Sequence, residues 1–336
     1  MSDETLSQDV IEQTLDKLKQ VGKEVGKVIV GQEKVVNQLL VSILAGGHCL
    51  LEGVPGLAKT LMVSALSESL ELGYTRVQFT PDLMPSDIIG TEILETDHDT
   101  GDRFFKFQQG PVFTNILLAD EINRTPPKTQ AALLEAMQER RVSYGGKSFA
   151  LPKPFFVLAT QNPVEQSGTY PLPEAQLDRF LMFIRVGYPN EQEEIEILRR
   201  TTGTVKAELK TVLTGDDIVR LQDLVRAVDI SDALLTYITR LVRFTRPEGS
   251  QSATVKAYVR WGAGPRAGQA LVLCAKANAL LDGRFAVTMG DIKTIAHGVL
   301  RHRILINFQA EAQHITTDHV IDALLSEAPE PQSPLT

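Results

Sequence analysis

The sequence predicts an α/β protein in which a mostly parallel sheet carries helices on both faces and an all-α domain follows. Through the first 189 residues, short apolar runs alternate with segments that have the helical period. One apolar run leads into a glycine-containing loop and then directly into a helix, which is the order of a parallel strand–helix unit. Beyond that point the helical period dominates and no convincing strand pattern appears.

The composition is that of a globular protein with a sizeable core, since 43% of its 336 residues are hydrophobic and 23% are charged. The net charge of −8 argues against a surface that binds nucleic acid throughout, although a local basic pore stays open as an alternative. No apolar run approaches the ~20 residues of a membrane span. Cys49 and Cys274 have no motif partner, so we expect two buried, reduced thiols in a cytoplasmic protein.

One segment predicts a strand, a phosphate-binding loop and a helix. The glycines of the loop let backbone N–H groups curl round a polyphosphate, and the helix N-terminus adds partial positive charge. Lys59 would reach the β and γ phosphates, and the hydroxyl of Thr60 would bind Mg²⁺. Ala58 occupies the position of an expected glycine, and we interpret it as a variant because alanine is small. The predicted phosphate-binding residues are Gly53, Val54, Pro55, Gly56, Leu57, Ala58, Lys59 and Thr60.

A second signal is an apolar strand over 115–119 that ends in two acids, Asp120 and Glu121. In a parallel sheet this strand would deliver both carboxylates to the edge where the phosphate loop lies. We expect Asp120 to hold Mg²⁺ and Glu121 to orient or activate the attacking water. An acidic strand end alone is a weak signal, but it becomes strong when it follows a phosphate loop in this pattern.

Three further candidates keep an ordinary structural alternative. Thr160 or Asn162, at the end of another apolar strand, could hydrogen-bond the γ phosphate, or could simply mark a strand-to-turn transition. Arg179 precedes the last predicted strand and could instead be a surface residue paired with Asp178. Arg266 lies in the first turn of a helix, where a cation needs a nearby anion, either a phosphate or a carboxylate. From the residues alone, the structural alternative is favoured for both arginines.

The pattern also predicts two hairpins, with turns at Asp97–Gly101 and Gly145–Gly146. Ser231 and Thr288 are the expected N-caps of two later helices. The predicted organisation is a nucleotide-binding α/β domain with hairpin inserts over 1–189, a helical lid domain over 190–325 and a disordered tail over 326–336.

Taken together, these stretches resemble the AAA+ ATPases and, among them, the MoxR family. The resemblance runs from about Val25 to Leu325, and alanine at position 58 is itself usual in that family. The distinctive segments are Gly53–Thr60, Phe79–Asp87, Gly110–Phe113, Asp120–Arg124, Gln138–Val142, Ala159–Pro163, Glu174–Phe180 and Leu300–Ile304.

The resemblance implies ATP with Mg²⁺ as the ligands and assigns roles to residues that the sequence alone leaves open. Asn162 becomes the expected sensor 1 residue. Arg179 becomes the arginine finger that acts on a neighbouring subunit, and Arg266 the sensor 2 residue that contacts the nucleotide of its own chain. Arg124 is a further candidate for the neighbour's nucleotide. The two hairpins match inserts that line the face or pore of related rings.

The resemblance further implies a hexameric ring with chaperone-like activity on client proteins, working with an adaptor that contains a von Willebrand factor A domain. We therefore expect Mg²⁺-dependent ATP hydrolysis coupled to the remodelling or maturation of partner proteins. One alternative is a nucleotide-gated scaffold with little turnover, which the complete Asp120–Glu121 pair disfavours. Another is a DNA-remodelling ring, which the acidic net charge and the lack of an added DNA-binding domain disfavour.

Overall fold

The computed structural model describes residues 8–96, 99, 102–163, 168–203 and 207–331, and the side chains among them from residue 13 onward. The strands are β1 (Cys49–Glu52), β2 (Tyr74–Gln78), β3 (Gly90–Thr96), β4 (Arg103–Gln109), β5 (Ile116–Asp120), β6 (Arg141–Tyr144), β7 (Lys147–Ala150), β8 (Phe156–Gln161), β9 (Met182–Arg185), β10 (Val259–Trp261) and β11 (Leu305–Ile306).

Helices flank and follow the sheet, as the periodicity predicts. They are α1 (Gln8–Val25), α2 (Glu33–Leu44), α3 (Lys59–Ser69), α4 (Pro85–Ile89), α5 (Pro127–Glu139), α6 (Glu174–Leu177), α7 (Glu191–Thr202), α8 (Gly215–Ala227), α9 (Asp232–Phe244), α10 (Ala253–Tyr258), α11 (Pro265–Leu281), α12 (Met289–Leu300), α13 (Phe308–Ala312) and α14 (Thr317–Glu327). None of the helices within the described ranges combines the length and apolar character needed to cross a membrane.

The main sheet has five parallel strands in the order β2-β5-β8-β1-β9. Strand β1 lies between β8 and β9, with Leu51 opposite Thr160 on one side and Ile184 on the other. Because the strands are parallel, all of them begin at one edge of the sheet and end at the other. We call these the amino edge and the carboxyl edge; the phosphate loop and the acidic pair follow strands that end at the carboxyl edge.

The two faces of the sheet bury different sets of apolar side chains. Alternate residues of the fully buried strand β5 point to opposite faces, so that Leu118 belongs to one core cluster and Leu117 to the other. The cluster around Leu118 also contains Leu39 of α2 and Leu271 of α11, and therefore joins the C-terminal helices to the sheet. The cluster around Leu117 includes Leu134 of α5. Both faces are covered, as the near-continuous apolar strands predict.

Both predicted hairpins form. Strands β3 and β4 pair antiparallel, although most of the turn predicted at Asp97–Gly101 lies outside the described residues. Strands β6 and β7 pair around Gly145 and Gly146, which both have positive φ angles. The segment before β3 contains the short helix α4, which begins at Pro85, a residue favoured in a first helical turn.

The C-terminal part is helical, with two differences from the sequence expectation. Strands β10 and β11 form a short antiparallel ribbon, whose three and two residues are too few to show a strand period. Helix α14 continues to Glu327, and Ala328 is buried behind it. Glu330 forms an ion pair with Lys293, so the chain stays packed beyond the expected start of the tail at 326. Residues 332–336 lie outside the described ranges.

The predicted caps are present, and one of them anchors a buried ionic cluster. Ser231 accepts from the N–H of Leu234, and Thr288 accepts from the N–H of Asp291 in a capping box. The carboxylate of Asp291 is 1% exposed and accepts hydrogen bonds from Arg284, Asn278 and Thr288 at 2.6–2.7 Å. Burial alone would raise the pKa of Asp291, but these hydrogen bonds outweigh it and lower the pKa to about 2.

Replacing Asp291 with asparagine should lower the free energy of unfolding by about 2–3 kcal/mol at pH 7, because the native carboxylate titrates well below its unfolded value. A depressed native pKa stabilises the fold above the unfolded pKa near 4, and this contribution disappears as the pH falls towards 2. The loss caused by Asp291→Asn should therefore shrink to about half at pH 3.

Denaturant unfolding between pH 7 and pH 3 measures this difference. The matched control is Asp282→Asn, which removes an exposed carboxylate that also pairs with Arg284 and should change stability by less than about 1 kcal/mol. A loss for Asp291→Asn that stays constant down to pH 3 would contradict the role of its charge.

Candidate nucleotide-binding site

The phosphate loop joins the end of β1 to the start of α3, as predicted. Its backbone requires two residues with positive φ, Gly56 at 85° and Ala58 at 53°. A side chain added at Gly56 would meet nothing within 4 Å, so the loop is open where a ligand would approach it. The left-handed conformation at Ala58 explains why a glycine is expected there, since a Cβ atom costs about 1–2 kcal/mol in that region.

Lys59 lies across the loop at the first position of α3. Its amino group donates to the carbonyl of Gly53 at 2.5 Å and is partly buried. Burial lowers the pKa of Lys59, while the nearby carboxylates of Asp120 and Glu121 act in the opposite direction. The loop also contacts the next strand, because the N–H of Gly53 donates to the carbonyl of Gln161 at 3.4 Å. The structure thus brings Lys59 and the acidic pair to one place at the carboxyl edge.

Asp120 ends β5 and is held through both of its carboxylate oxygens. One oxygen accepts from the hydroxyl of Thr160 at 2.6 Å, and the other accepts from Arg76 at 2.6 and 3.1 Å. The Thr160 hydroxyl in turn accepts from the N–H of Glu121 at 2.8 Å. Thr160 therefore positions the acidic pair, which differs from the expected alternative of a contact to the γ phosphate. Sequence reasoning missed Arg76, because nothing local to residue 76 reveals a neighbouring strand.

Glu121 follows directly and adopts a left-handed backbone conformation, with φ at 58°. A non-glycine residue in this region is strained by about 1–3 kcal/mol, and such strain clusters at functional sites. Its carboxylate accepts from the amide of Gln78 at 2.6 Å and pairs with Arg124 at 3.0 Å. Arg124 thus contacts the acid of its own chain, whereas the resemblance made it a candidate for the neighbour's nucleotide.

Asn162 follows β8 and is 5% exposed. Strand β8 pairs with both β1 and β5, so its end lies between the phosphate loop and the acidic pair. The predicted polar residue after β8 is therefore at the same edge as Lys59 and Glu121.

The oxygen donors at this edge suit Mg²⁺. The hydroxyl of Thr60 lies in the first turn of α3, and the carboxylate of Asp120 lies at the end of β5. Mg²⁺ prefers oxygen ligands and is usually bound through one or two protein groups together with substrate phosphates. The Arg76 side chain that pairs with Asp120 is 47% exposed, so this ion pair is a weak competitor for the carboxylate.

The two candidate arginines lie at the other edge of the sheet. Arg179 and Arg266 line a cleft of about 290 Å³ together with Gly46, Gly47 and His48, the residues that precede β1. Lys59 follows β1, whose four residues span about 13 Å. We call this cavity the arginine cleft. The structure does not bring Arg266 to the phosphate loop of its own chain, which contradicts the expected contact with the same chain's nucleotide.

Asp178 links the arginine cleft to the buried interior. Its carboxylate lies 3.6 Å from Arg266 and accepts from the Nε of Arg303 at 2.7 Å. Arg179 itself is exposed. Asp178 therefore pairs with Arg266, and not with Arg179 as the structural alternative from the sequence had it. Arg179 projects from the segment that Asp178 anchors.

The residues that follow α12 form hydrogen bonds with the segment that carries Arg179. Arg303, whose side chain is 3% exposed, donates to the carbonyl of Phe180 at 2.7 Å, and the ring of His302 contacts the same carbonyl at 3.0 Å. Burial lowers the pKa of His302, so the ring stays neutral and donates this bond through Nε2. Arg301 donates to the carbonyl of Phe183 at 2.9 Å. Leu300–Ile304 is one of the distinctive segments of the sequence, but the residues that it contacts in the fold were not predictable from the sequence.

The comparisons agree with this geometry. Residues 48–182 match the model of the ATPase family associated with various cellular activities (AAA), and residues 251–324 match the model of the AAA lid domain. A phosphate loop, an acidic pair two strands away in the same sheet and a helical lid define the chain as an AAA+ ATPase.

Its relatives specify the family. The chain is 46% identical over 310 residues to Chaperone MoxR1 of Mycobacterium tuberculosis, which covers 92% of this chain and 81% of that protein. It is 32% identical over 323 residues to Protein MoxR of Paracoccus denitrificans, covering 90% and 93%. A crystal structure of a Cytophaga hutchinsonii protein superimposes with a TM-score of 0.88 at 44% identity, covering 96% and 98%. The chain belongs to the MoxR family of AAA+ ATPases.

Replacing Ala58 with glycine should stabilise the protein by about 1 kcal/mol, because glycine adopts the left-handed conformation without a steric penalty. Denaturant unfolding measures the change. The matched control is Ala131→Gly in the exposed interior of α5, where the same substitution should destabilise by about 1 kcal/mol. The account of the loop is wrong if both substitutions lower stability equally.

Proposed function

We propose that the chain is an ATPase subunit of a homo-oligomeric ring, a hexamer by resemblance to its family, in which each active site is shared by two neighbouring chains. The supporting observation is the separation of its charged groups. Lys59, Asp120 and Glu121 meet at the carboxyl edge, whereas Arg179 and Arg266 lie at the amino edge, beyond the length of β1. One chain alone therefore has no arginine of this pair next to its phosphate loop.

The chain's own residues would bind ATP at the carboxyl edge. The loop N–H groups and the amino group of Lys59 contact the phosphates, and Lys59 exchanges its bond to the Gly53 carbonyl for phosphate oxygens. Bound Mg²⁺, held by Thr60 and Asp120, would neutralise charge on the β and γ phosphates. Thr160 keeps the Asp120 carboxylate fixed while this exchange occurs.

Glu121 would orient and activate the attacking water. At rest its carboxylate is held by Gln78 and Arg124, which occupy oxygen lone pairs that a water would need. Release from Arg124 would free the carboxylate for water, while the short bond between Thr160 and the Glu121 N–H keeps the backbone in place. Asn162, at the same edge, would donate its amide to the γ phosphate or to the water.

Arg179 and Arg266 would complete the site of the next chain. In a ring of identical subunits the contact joins two different surfaces of the same chain, here the amino edge of one sheet and the carboxyl edge of the next. Guanidinium groups at the γ phosphate stabilise charge in the transition state, and an arginine finger supplies ~10³–10⁵ in rate. Asp178 holds Arg266 within 3.6 Å and thus keeps it at the surface that faces the neighbour.

We propose that ATP binding and hydrolysis drive the remodelling of client proteins. The support is the relative named as a chaperone, together with an apolar hairpin surface on this chain. Leu94 of β3 and Phe105 of β4 lie opposite each other and are 54% and 72% exposed. Exposed apolar patches of this kind mark protein interaction sites. An adaptor with a von Willebrand factor A domain is the partner that the family resemblance suggests.

Glu121→Gln should retain ATP binding and lose turnover by ~10²–10⁴-fold, because the amide keeps the shape of the side chain and removes the base. Steady-state phosphate release measures turnover, and a nucleotide titration measures binding. The control is Glu135→Gln on α5, an exposed carboxylate away from the carboxyl edge. Wild-type protein that binds ATP without releasing phosphate would favour the nucleotide-gated scaffold.

Rings mixed from Arg266→Ala and Glu121→Gln chains should be more active than rings of either variant alone. A shared site is complete where an Arg266→Ala chain supplies an intact Glu121 and its Glu121→Gln neighbour supplies Arg266. Random mixing of equal amounts places this combination at about a quarter of the sites. Arg179→Ala should behave in the same way.

The matched control is a mixture of Lys59→Ala and Glu121→Gln chains, whose defects lie in the same half of the site and cannot complement. Subunit exchange is verified with differently tagged chains. If exchange occurs and the Arg266→Ala mixture stays at the level of the Lys59→Ala mixture, Arg266 does not act on the neighbour.

A further inference from the structure

Helix α7 carries an exposed stripe of mixed acidic and apolar character. No residue of α7 is buried, and Ile195 and Leu198 are 49% and 61% exposed. Glu191 and Glu194 lie on the same face, since residues three and four positions apart are neighbours on a helix. Neither carboxylate forms an ion pair within the described part of the chain. We call these four residues the α7 stripe.

The opposite side of α7 is fixed to the chain. Arg200 donates to the carbonyls of Gly26 and Lys27 at 3.0 and 3.1 Å, and Glu193 caps the helix by accepting from the N–H of Asn190 at 2.8 Å. The helix follows β9 at the carboxyl edge, where Gln32 donates to the carbonyl of Gly187 at 3.1 Å. The α7 stripe is therefore held facing outward on a helix that begins near the carboxyl edge.

A complementary groove lies between α9 and α11. Its volume is about 920 Å³, and its rim carries Arg226 and Arg243, both exposed and neither in an ion pair within the described ranges. We call this cavity the lid groove. Its apolar lining consists of Leu235, Ile238, Val242, Val272 and Leu273.

The lid groove adjoins the arginine cleft, because Gln269 and Leu273 line both. It therefore lies on the amino-edge side of the chain, whereas the α7 stripe begins at the carboxyl edge. A contact that brings the Arg266 of one chain to the phosphate loop of another would turn the side that carries the lid groove towards the side on which α7 begins. Arginines would meet glutamates, and the two exposed aliphatic side chains would enter an apolar cavity.

We propose that the α7 stripe of one subunit docks into the lid groove of the next, as part of the interface that the proposed function requires. The occupant is a second copy of this chain, because both complementary surfaces belong to it and lie towards opposite edges of the sheet. Removing the exposed aliphatic side chains of Ile195 and Leu198 from water would favour the contact. The opposite charges select the register of the two chains, since like charges would repel. An acidic helix of another protein in this groove is the competing outcome.

Cysteine cross-linking tests the contact directly. Chains carrying Leu198→Cys are mixed with chains carrying Leu235→Cys and oxidised in the presence of ATP and Mg²⁺. Both positions are exposed, at 61% and 37%, so neither substitution threatens folding. The native thiols give no background, because Cys49 and Cys274 are 0% exposed, and burial raises the pKa of Cys49 to about 12 and that of Cys274 further. A disulfide between two chains is expected in the mixture alone.

The matched control mixes Leu198→Cys with Phe285→Cys, which is 48% exposed and lies in the same C-terminal half outside the groove. If the chains form oligomers but the cross-linking yield does not exceed that of this control, the docking contact is wrong. The proposal of an ATPase ring would be unaffected by that result. A chain that stays monomeric by sedimentation with ATP would overturn both. The docking contact is also overturned if cross-linking is absent while a foreign acidic helix protects Leu235→Cys from modification.

Charge reversal provides an independent readout of the same contact. Glu194→Arg and Arg243→Glu should each raise the protein concentration needed for half-assembly by about tenfold, because each places like charges at the rim. Combined in one chain, the two changes should restore assembly. The control is Arg240→Glu, on the same helix but outside the groove lining. Additive losses in the double variant would overturn the pairing of α7 with the lid groove.

Discussion

The structure depends on the direction of one short strand. Strand β1 connects the arginine cleft at its start to the phosphate loop at its end, and it is buried between β8 and β9. Because all five strands run the same way, the acidic pair and Asn162 collect at the end that holds Lys59. The groups that would bind phosphate and the arginines that would stabilise its charge are thus placed at opposite edges of the sheet.

This separation makes assembly a condition of the proposed activity. A chain that could place its own arginines at its own phosphates would need no neighbour to complete the site. Here the two halves can meet only when two chains are arranged head to tail, which produces a closed ring when the rotation closes. The α7 stripe begins near the carboxyl edge, and the lid groove lies on the amino-edge side. Their charged and apolar contacts would therefore stabilise the same head-to-tail arrangement that completes the shared site.

The C-terminal helices are coupled to the arginine segment by buried contacts. Arg303 and His302 donate to the carbonyl of Phe180, and Arg301 donates to that of Phe183 while pairing with Asp318 of α14. A shift of these helices would carry the segment before β9 with it. A nucleotide-dependent movement of the helical part would in this way change the position of Arg179 at the neighbouring site.

The features that could be predicted from the sequence are those that local residue patterns determine. The loop between β1 and α3, the two acids at the end of β5 and the caps at Ser231 and Thr288 depend on residues close together in the chain, and each lies at the position that the sequence predicts. The edge occupied by Arg266 was not predictable, because it depends on how helices beyond residue 190 pack against the sheet. The same limit applies to Arg76, whose partner lies on a neighbouring strand, 44 positions away in the chain.

The most direct measurement of the shared site is a ring structure of the Glu121→Gln variant with ATP and Mg²⁺ bound. In a shared site, the γ phosphate contacts Lys59 of one chain, and the guanidinium groups of Arg179 and Arg266 within about 3 Å of it belong to the neighbouring chain. A γ phosphate contacted by Lys59 and Arg266 of the same chain would rule out a site shared between neighbouring chains.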